Sequence, residues 1–343
     1  MKKLFLILLP IFIFTACLSD RKEKTGITPI SIIFETDMGN DIDDALALDM
    51  LHKYSDEGKI NLLGVMSNKD FRYSLEYIDI LNTFYGYPDI PLGIFKKGDT
   101  LNMRGSNYDS RVCRMEEDGN PKYKRTITDY ESLPAASKLY RKLLSKQPDN
   151  SVTIISTGFS TNLALLLNTT ADEYSPLSGH ELVAQKVKLL SAMAGSFNRD
   201  DYSEYNVWMD INSAKEVFEQ WPTEIVFSPY ELGEKILYPA TSIENDFNWT
   251  KNNPLTDGYR SYMRMPYDRP TWDLTSVLYV MEPDGDFFNK SPRGDVTIDE
   301  KGVSHFSENE LGKHIYLMTD SVQQERILNY FIDKVTKIPL CYQ

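Results

Sequence analysis

The chain has 343 residues and a formal net charge of −13, from 50 acidic against 37 basic side chains. That balance, with no basic stripe anywhere along the chain, excludes the electrostatic footprint of a nucleic-acid-binding protein. Four scattered histidines and three cysteines without Cys-x-x-Cys spacing exclude a zinc site.

The amino-terminal residues read as a targeting segment. Lys2 and Lys3 precede an apolar run from Leu4 to Phe14 that is too short to span a bilayer. Phe14-Thr15-Ala16-Cys17 places small residues before a cysteine, as in a bacterial lipobox. This predicts a signal peptide over residues 1–16, a lipid on Cys17 and a polar tether through residue 29. The expectation is an exported lipoprotein of the cell envelope, touching the membrane through its anchor alone. Removal of Lys2 and Lys3 takes the formal charge from −13 to −15. Cys113 and Cys341 stand far apart, which is weak ground for a disulfide.

From Ile30 to the end, one domain of short apolar runs alternates with amphipathic stretches. Ile30 to Phe34 reads as a buried parallel strand and Ala45 to Leu48 as the opening of a helix. Between them, Glu35, Asp37, Asp41, Asp43 and Asp44 crowd five acids into ten positions. Turns and helix caps use one or two such residues. Five on the loop leaving a strand's carboxyl end, where open α/β sheets bind ligands, point to a hard cation such as Ca²⁺ or Mg²⁺. The spacing is not that of an EF-hand, since the twelfth position from Asp37 is Leu48.

Further strands are predicted over Ile60–Met66, Val152–Ser156, Val187–Ala192 and Glu224–Phe227, with Ile90–Phe95 at an edge because of Pro91. Helices are predicted over Asp44–Tyr54, Tyr73–Tyr85, Ser132–Ser145, Ser160–Leu167 and Ser213–Gln220. The alternation gives an α/β fold with a mostly parallel, Rossmann-like central sheet and helices on both faces. A hairpin over Asp295–Phe306, turning at Lys301-Gly302, and a closing helix over Asp320–Lys337 complete the chain. Val322, Ile327, Leu328, Phe331 and Val335 of that helix should face the sheet.

Four more segments carry candidate chemistry. Asn68, after the strand ending at Met66, has an amide suited to sugar hydroxyls. Thr157-Gly158-Phe159-Ser160-Thr161-Asn162 leads from a strand into a helix and frees backbone carbonyls that suit Ca²⁺. Asn198 to Asn206 mixes amides, acids and aromatics as a polyol site does. Asp273, beside Trp272, is either a helix cap or a distant ligand to the first cluster.

Glu35-Thr36-Asp37-Met38-Gly39 with Asp43-Asp44-Ala45, then Thr157 to Asn162, Glu204-Tyr205-Asn206 with Asp210, and Trp272-Asp273 resemble, in order, the motifs of inosine–uridine-preferring nucleoside hydrolases. The resemblance covers nearly all of residues 30–337 and implies the nucleoside hydrolase fold. It implies Ca²⁺ held by Asp37, Asp44, Asp273 and the Thr157 carbonyl. It makes Asp37 the general base, with Asp43 and Asp41 as alternatives. It places ribose hydroxyls on Asp43, Asn68, Asn198, Glu204 and Asn206. Family members are often homodimers or homotetramers.

The sequence departs from the pattern at Glu35 and Met38, which replace Asp and Pro, and in a loop at Asn40-Asp41-Ile42 that is two residues longer. Trp272 stands where some members carry a histidine that protonates the leaving base. Trp272 and Tyr205 are placed to stack on a base, and Tyr267 is a candidate acid. The leading expectation is Ca²⁺-dependent hydrolysis of ribonucleosides or related N-ribosides to ribose and base. The alternatives are a Ca²⁺-dependent sugar-binding lipoprotein without turnover, or a hydrolase of another glycoside.

Overall fold

The computed structural model describes residues 28–96 and 106–343. The expected signal segment, Cys17 and nearly all of the tether lie outside the described residues.

Among the described residues, ten strands build one central sheet: β1 (Ile30–Thr36), β2 (Ile60–Ser67), β3 (Leu92–Ile94), β4 (Val152–Ser156), β5 (Val187–Met193), β6 (Glu224–Ser228), β7 (Asn289–Lys290), β8 (Gly294–Ile298), β9 (Ser304–Glu308) and β10 (His314–Met318). Their order is β9-β8-β10-β6-β5-β4-β1-β2-β3, with β7 paired to β10. From β3 across to β10 every pair is parallel, and β7, β8 and β9 join antiparallel at the far end. A sheet buried on both faces needs apolar side chains at consecutive positions, which is why its strands read as continuous runs. In β1, Ile32 and Phe34 enter one core while Ile33 enters the other, as the two-residue period requires.

Helices Asp43–Asp56, Arg72–Phe84, Trp272–Met281 and Ser321–Val335 contribute to the first core. Ala136–Leu144, Thr161–Leu167, Gly179–Lys186 and Ile211–Gln220 contribute to the second. The helix expected from Ser132 begins only at Ala136, because Pro134 and Ala135 run extended beside β3: Ile94 donates to the Pro134 carbonyl at 3.0 Å. The closing helix starts at an Asp320 cap whose side chain accepts from the Gln323 backbone N–H. Ile327, Phe331 and Val335 are buried, but Val322 is 62% exposed. The helix packs on the helix Asp43–Asp56, where Lys334 Nζ reaches Glu57 at 2.7 Å, so its buried face is narrower than the sequence suggests. Cys113 and Cys341 are both free thiols.

β2 and β3 lie on one side of β1 and β4 to β6 on the other, so the strand order reverses between β1 and β4. Loops leaving two such strands diverge and leave a crevice at the carboxyl edge. Residues 37–42 and 157–160 are these two loops.

Candidate active site

A cavity opens at this crevice, where open α/β sheets bind their ligands. Its walls include Asp37, Asp41, Asp43 and Asp44 after β1, Thr157 after β4, Met193 at the end of β5, Glu204, Tyr205 and Asn206, Tyr230 after β6, and Trp272 and Asp273. Six elements far apart in sequence thus converge on one space.

The acids are not there as caps. The helix Asp43–Asp56 is preceded by Ile42, and no side chain caps it. Asp43, Asp44, Asp273 and Asp37 are each at most 5% exposed. Burial pushes the Asp37 carboxyl up to about 6 and that of Asp43 to about 7. Asp44 and Asp273 are raised well above the ordinary carboxylate range by burial and by their acidic neighbours. Among the described residues, the one ion pair these loop acids make is from Asp41, the more exposed of them, to Arg269 at 2.6 Å. Asp41 also accepts from the Tyr262 hydroxyl at 2.5 Å. Asp43 Oδ1 is buried without a partner, while its Oδ2 accepts from the Asp273 backbone N–H at 3.2 Å.

This donor set fits a hard cation in chemistry: buried carboxylates crowded together, whose burial and mutual repulsion outweigh the nearby Lys69 and Arg269 charges, beside the Thr157 carbonyl. Among the described residues, no three acidic, histidine or cysteine side chains are arranged to grip a metal ion by themselves. Asp44 Oδ1 is engaged by the Thr36 hydroxyl and Asp37 Oδ2 by the Asn40 amide. The Thr157 carbonyl accepts from Asn206 Nδ2 at 3.2 Å, with a second lone pair to spare.

Glu204 both caps a helix and lines the cavity. Its carboxylate accepts from the backbone N–H groups of Gly195 at 3.1 Å, Asn206 at 2.9 Å and Val207 at 3.3 Å. These bonds oppose the burial that raises it to about 7. Asn206 is fixed by the Met193 carbonyl at 3.0 Å as well as by Thr157. Trp272 donates its indole N–H to the Tyr230 carbonyl at 2.9 Å. Its ring stacks on Tyr230 at 5.5 Å and carries the Arg269 guanidinium 5.1 Å from its centre.

Two residues expected at the sugar lie elsewhere. Asn68 is fully buried behind the cavity, where Nδ2 donates to Glu35 Oε1 at 2.6 Å and to the Phe159 carbonyl at 2.8 Å. Glu35, also held by the Tyr140 hydroxyl, is raised to about 7 by burial. A side chain at Gly158 would strike Asn68 Oδ1 and the Asp37 backbone, so glycine is required for this close approach. Asn198 is exposed and lines a separate depression with Phe197 and Glu231. Tyr267 donates to the Tyr259 carbonyl at 2.7 Å and is not among the residues lining the cavity. Sequence reasoning missed Asn40, Met193 and Tyr230. Tyr230 follows a buried strand's carboxyl end, a signal that could have found it.

The profile of the family described as inosine-uridine preferring nucleoside hydrolase matches residues 32–327. The chain belongs to this family. Membership makes it a hydrolase of N-glycosidic bonds. No curated protein matches it significantly. Among solved structures, it is similar to the plant nucleoside hydrolase PpNRh1, with TM-score 0.68 and 17% identity over 91% of this chain and 100% of that one. It is similar to the purine-preferring ribonucleoside hydrolase from Gardnerella vaginalis, with TM-score 0.70 and 15% identity over 89% and 98%. It is also similar to the inosine-uridine preferring nucleoside hydrolase from Bacillus anthracis, with TM-score 0.67 and 17% identity over 90% and 100%. At these identities the likeness establishes the nucleoside hydrolase fold.

Proposed function

We propose that this nucleoside hydrolase cleaves ribonucleosides to ribose and free base in a Ca²⁺-dependent reaction with Asp37 as general base. The observation that carries the reading is the convergence of Asp37, Asp43, Asp44, Asp273, Glu204, Asn206 and Thr157 on one cavity. Asp37, Asp44, Asp273 and the Thr157 carbonyl would hold the Ca²⁺, which when bound supplies the charge that draws in a diol and makes a water more acidic.

The remaining work falls to the chain's own side chains. Asp43, Glu204 and Asn206 bind ribose hydroxyls; Glu204, immobilised by three backbone donors, offers its remaining acceptor capacity to a hydroxyl. Water adds to the anomeric carbon and passes a proton to Asp37, while the N-glycosidic bond breaks and its electrons leave with the base, which takes a proton from solvent as Asp37 returns its own to solvent. The sugar becomes positively charged on the way, and the surrounding carboxylates stabilise it. Beside the cation Asp37 stays ionised and can take up the proton. Trp272, Tyr230 and Tyr205 form the aromatic part of the wall and face the leaving base. Export and anchoring through Cys17 belong to the same proposal.

The test is ribose release by the full chain from inosine, adenosine, guanosine, uridine and cytidine, with Ca²⁺ and with chelator. Release that chelator abolishes and Ca²⁺ restores is the expected result. A second reading, sugar binding without turnover, draws support from the Trp272 indole N–H being already engaged by the Tyr230 carbonyl. No release from any nucleoside, together with calorimetric binding of Ca²⁺ and ribose, would select it.

A further inference from the structure

A buried lysine stands behind the acidic loop with no part in the reaction as set out above. Lys69, two residues after β2, is fully buried. Its ammonium donates to Asn40 Oδ1 at 2.9 Å and lies 5.9 Å from the centre of the Phe71 ring. An ammonium this deep is unfavourable unless anions face it. Asp37 and Asp109 do, and its charge opposes the burial that raises both. Asp109 stands against Gly39, whose φ of +104° and lack of a side chain leave room for that carboxylate.

The amide between lysine and base is fully constrained. Asn40 Nδ2 donates to Asp37 Oδ2, and its backbone N–H donates to the Asp37 carbonyl at 3.3 Å. Ser106 Oγ donates to the Asn40 carbonyl at 3.1 Å. A carboxamide can turn over and exchange its donor for its acceptor. Lysine only donates, so the Asn40 oxygen must face Lys69 and its nitrogen must face Asp37. Asn40 also begins the stretch by which this loop exceeds the family pattern.

We propose that Lys69 and Asn40 are a positioning pair for Asp37: Lys69 sets the orientation of the Asn40 amide, and that amide fixes one carboxylate oxygen of Asp37 so that the other serves the cavity. This rests on the reading of Asp37 as general base. Besides the effect of its charge, Lys69 reaches Asp37 by contact through Asn40, since it makes no ion pair with Asp37 among the described residues.

The test uses the full chain and the substitutions Asn40→Asp, Asn40→Ala, Lys69→Met, Lys69→Gln and Asp37→Asn. Asn40→Asp keeps the volume and replaces the donor with an acceptor, so kcat should fall about 100-fold with KM near the parental value. Lys69→Met should lower kcat similarly, and the double variant Lys69→Met/Asn40→Ala should be no worse than Asn40→Ala. Lys69→Gln retains a donor toward Asn40 and should recover most of kcat. Equal losses in Lys69→Gln and Lys69→Met, or additive losses in the double variant, would overturn the pair. Independently of turnover, the crystal structure of Lys69→Met should show the Asn40 amide released from Asp37. An intact Asn40–Asp37 bond there would overturn it. Parental turnover in Asp37→Asn would instead sink the base assignment, leaving the pair to be judged by that structure.

Discussion

Stripping the cation should leave a cluster of buried acids whose contribution to stability falls as pH rises. Asp37 and Asp43 have folded-state carboxyls at about 6 and about 7 against an ordinary 3.8. A carboxyl raised on folding binds its proton more tightly in the native state, so the native state holds more protons between the two values. Their contribution to stability therefore declines as pH climbs through that window and is gone above the folded value. Between pH 5 and 7.5 these two carboxyls together give up a contribution on the order of 4 kcal/mol. For a chain of this size that is a drop in Tm of about 6 °C. Glu35, Glu204 and Asp49, raised by burial to between about 6 and 7, add to this decline, whereas His52 and His314, lowered by burial to about 3 and about 4, oppose it, so the part of the acidic cluster is read from the effect of Ca²⁺. The assay is thermal unfolding in chelator and in millimolar Ca²⁺ at both pH values. The rise produced by Ca²⁺ should be larger at pH 7.5 than at pH 5, because the cation competes with protons for these carboxylates. A Ca²⁺ effect equal at both pH values would refute the reasoning that these buried acids await a cation.

Three other outcomes follow from particular contacts. Asp44→Asn keeps the shape that accepts from Thr36 but loses the charge, so Ca²⁺ affinity by calorimetry and turnover should fall together, roughly 100-fold. Arg141, 1% exposed, spreads its guanidinium over Thr169, Asp172 and the carbonyls of Ser175 and Leu177. Arg141→Met should cost about 3 kcal/mol in urea unfolding without changing kcat/KM in water. Trp272→Phe loses the bond to the Tyr230 carbonyl, worth about 1 kcal/mol, and should raise KM about fivefold while kcat holds.

The sheet was legible because parallel strands buried on both faces leave unbroken apolar runs, and β1, β2, β4, β5 and β6 all carry them. The site was legible wherever several acids exceeded what a turn consumes, as at Asp37 to Asp44. Lone polar residues were not. Asn68 and Asn198 look equally suited to a sugar in sequence, yet packing turns one inward to Glu35 and leaves the other in solvent. Lys69 reads as a turn lysine, and only the closure of the loop over Asn40 makes it a buried one. Val322 satisfies the helical period but lies beyond the edge of the surface its helix covers.

β1 sets the direction in which the cavity looks. The described chain enters the sheet at Ile30, beside Asn150, Lys188 and Glu224 on the amino edge, and the acids begin at the opposite end of the same strand. Seven residues of strand put about 20 Å between the two poles. The cavity therefore opens at the end of the sheet opposite the one at which the described chain begins, and the polypeptide entering at Ile30 takes no part in its rim.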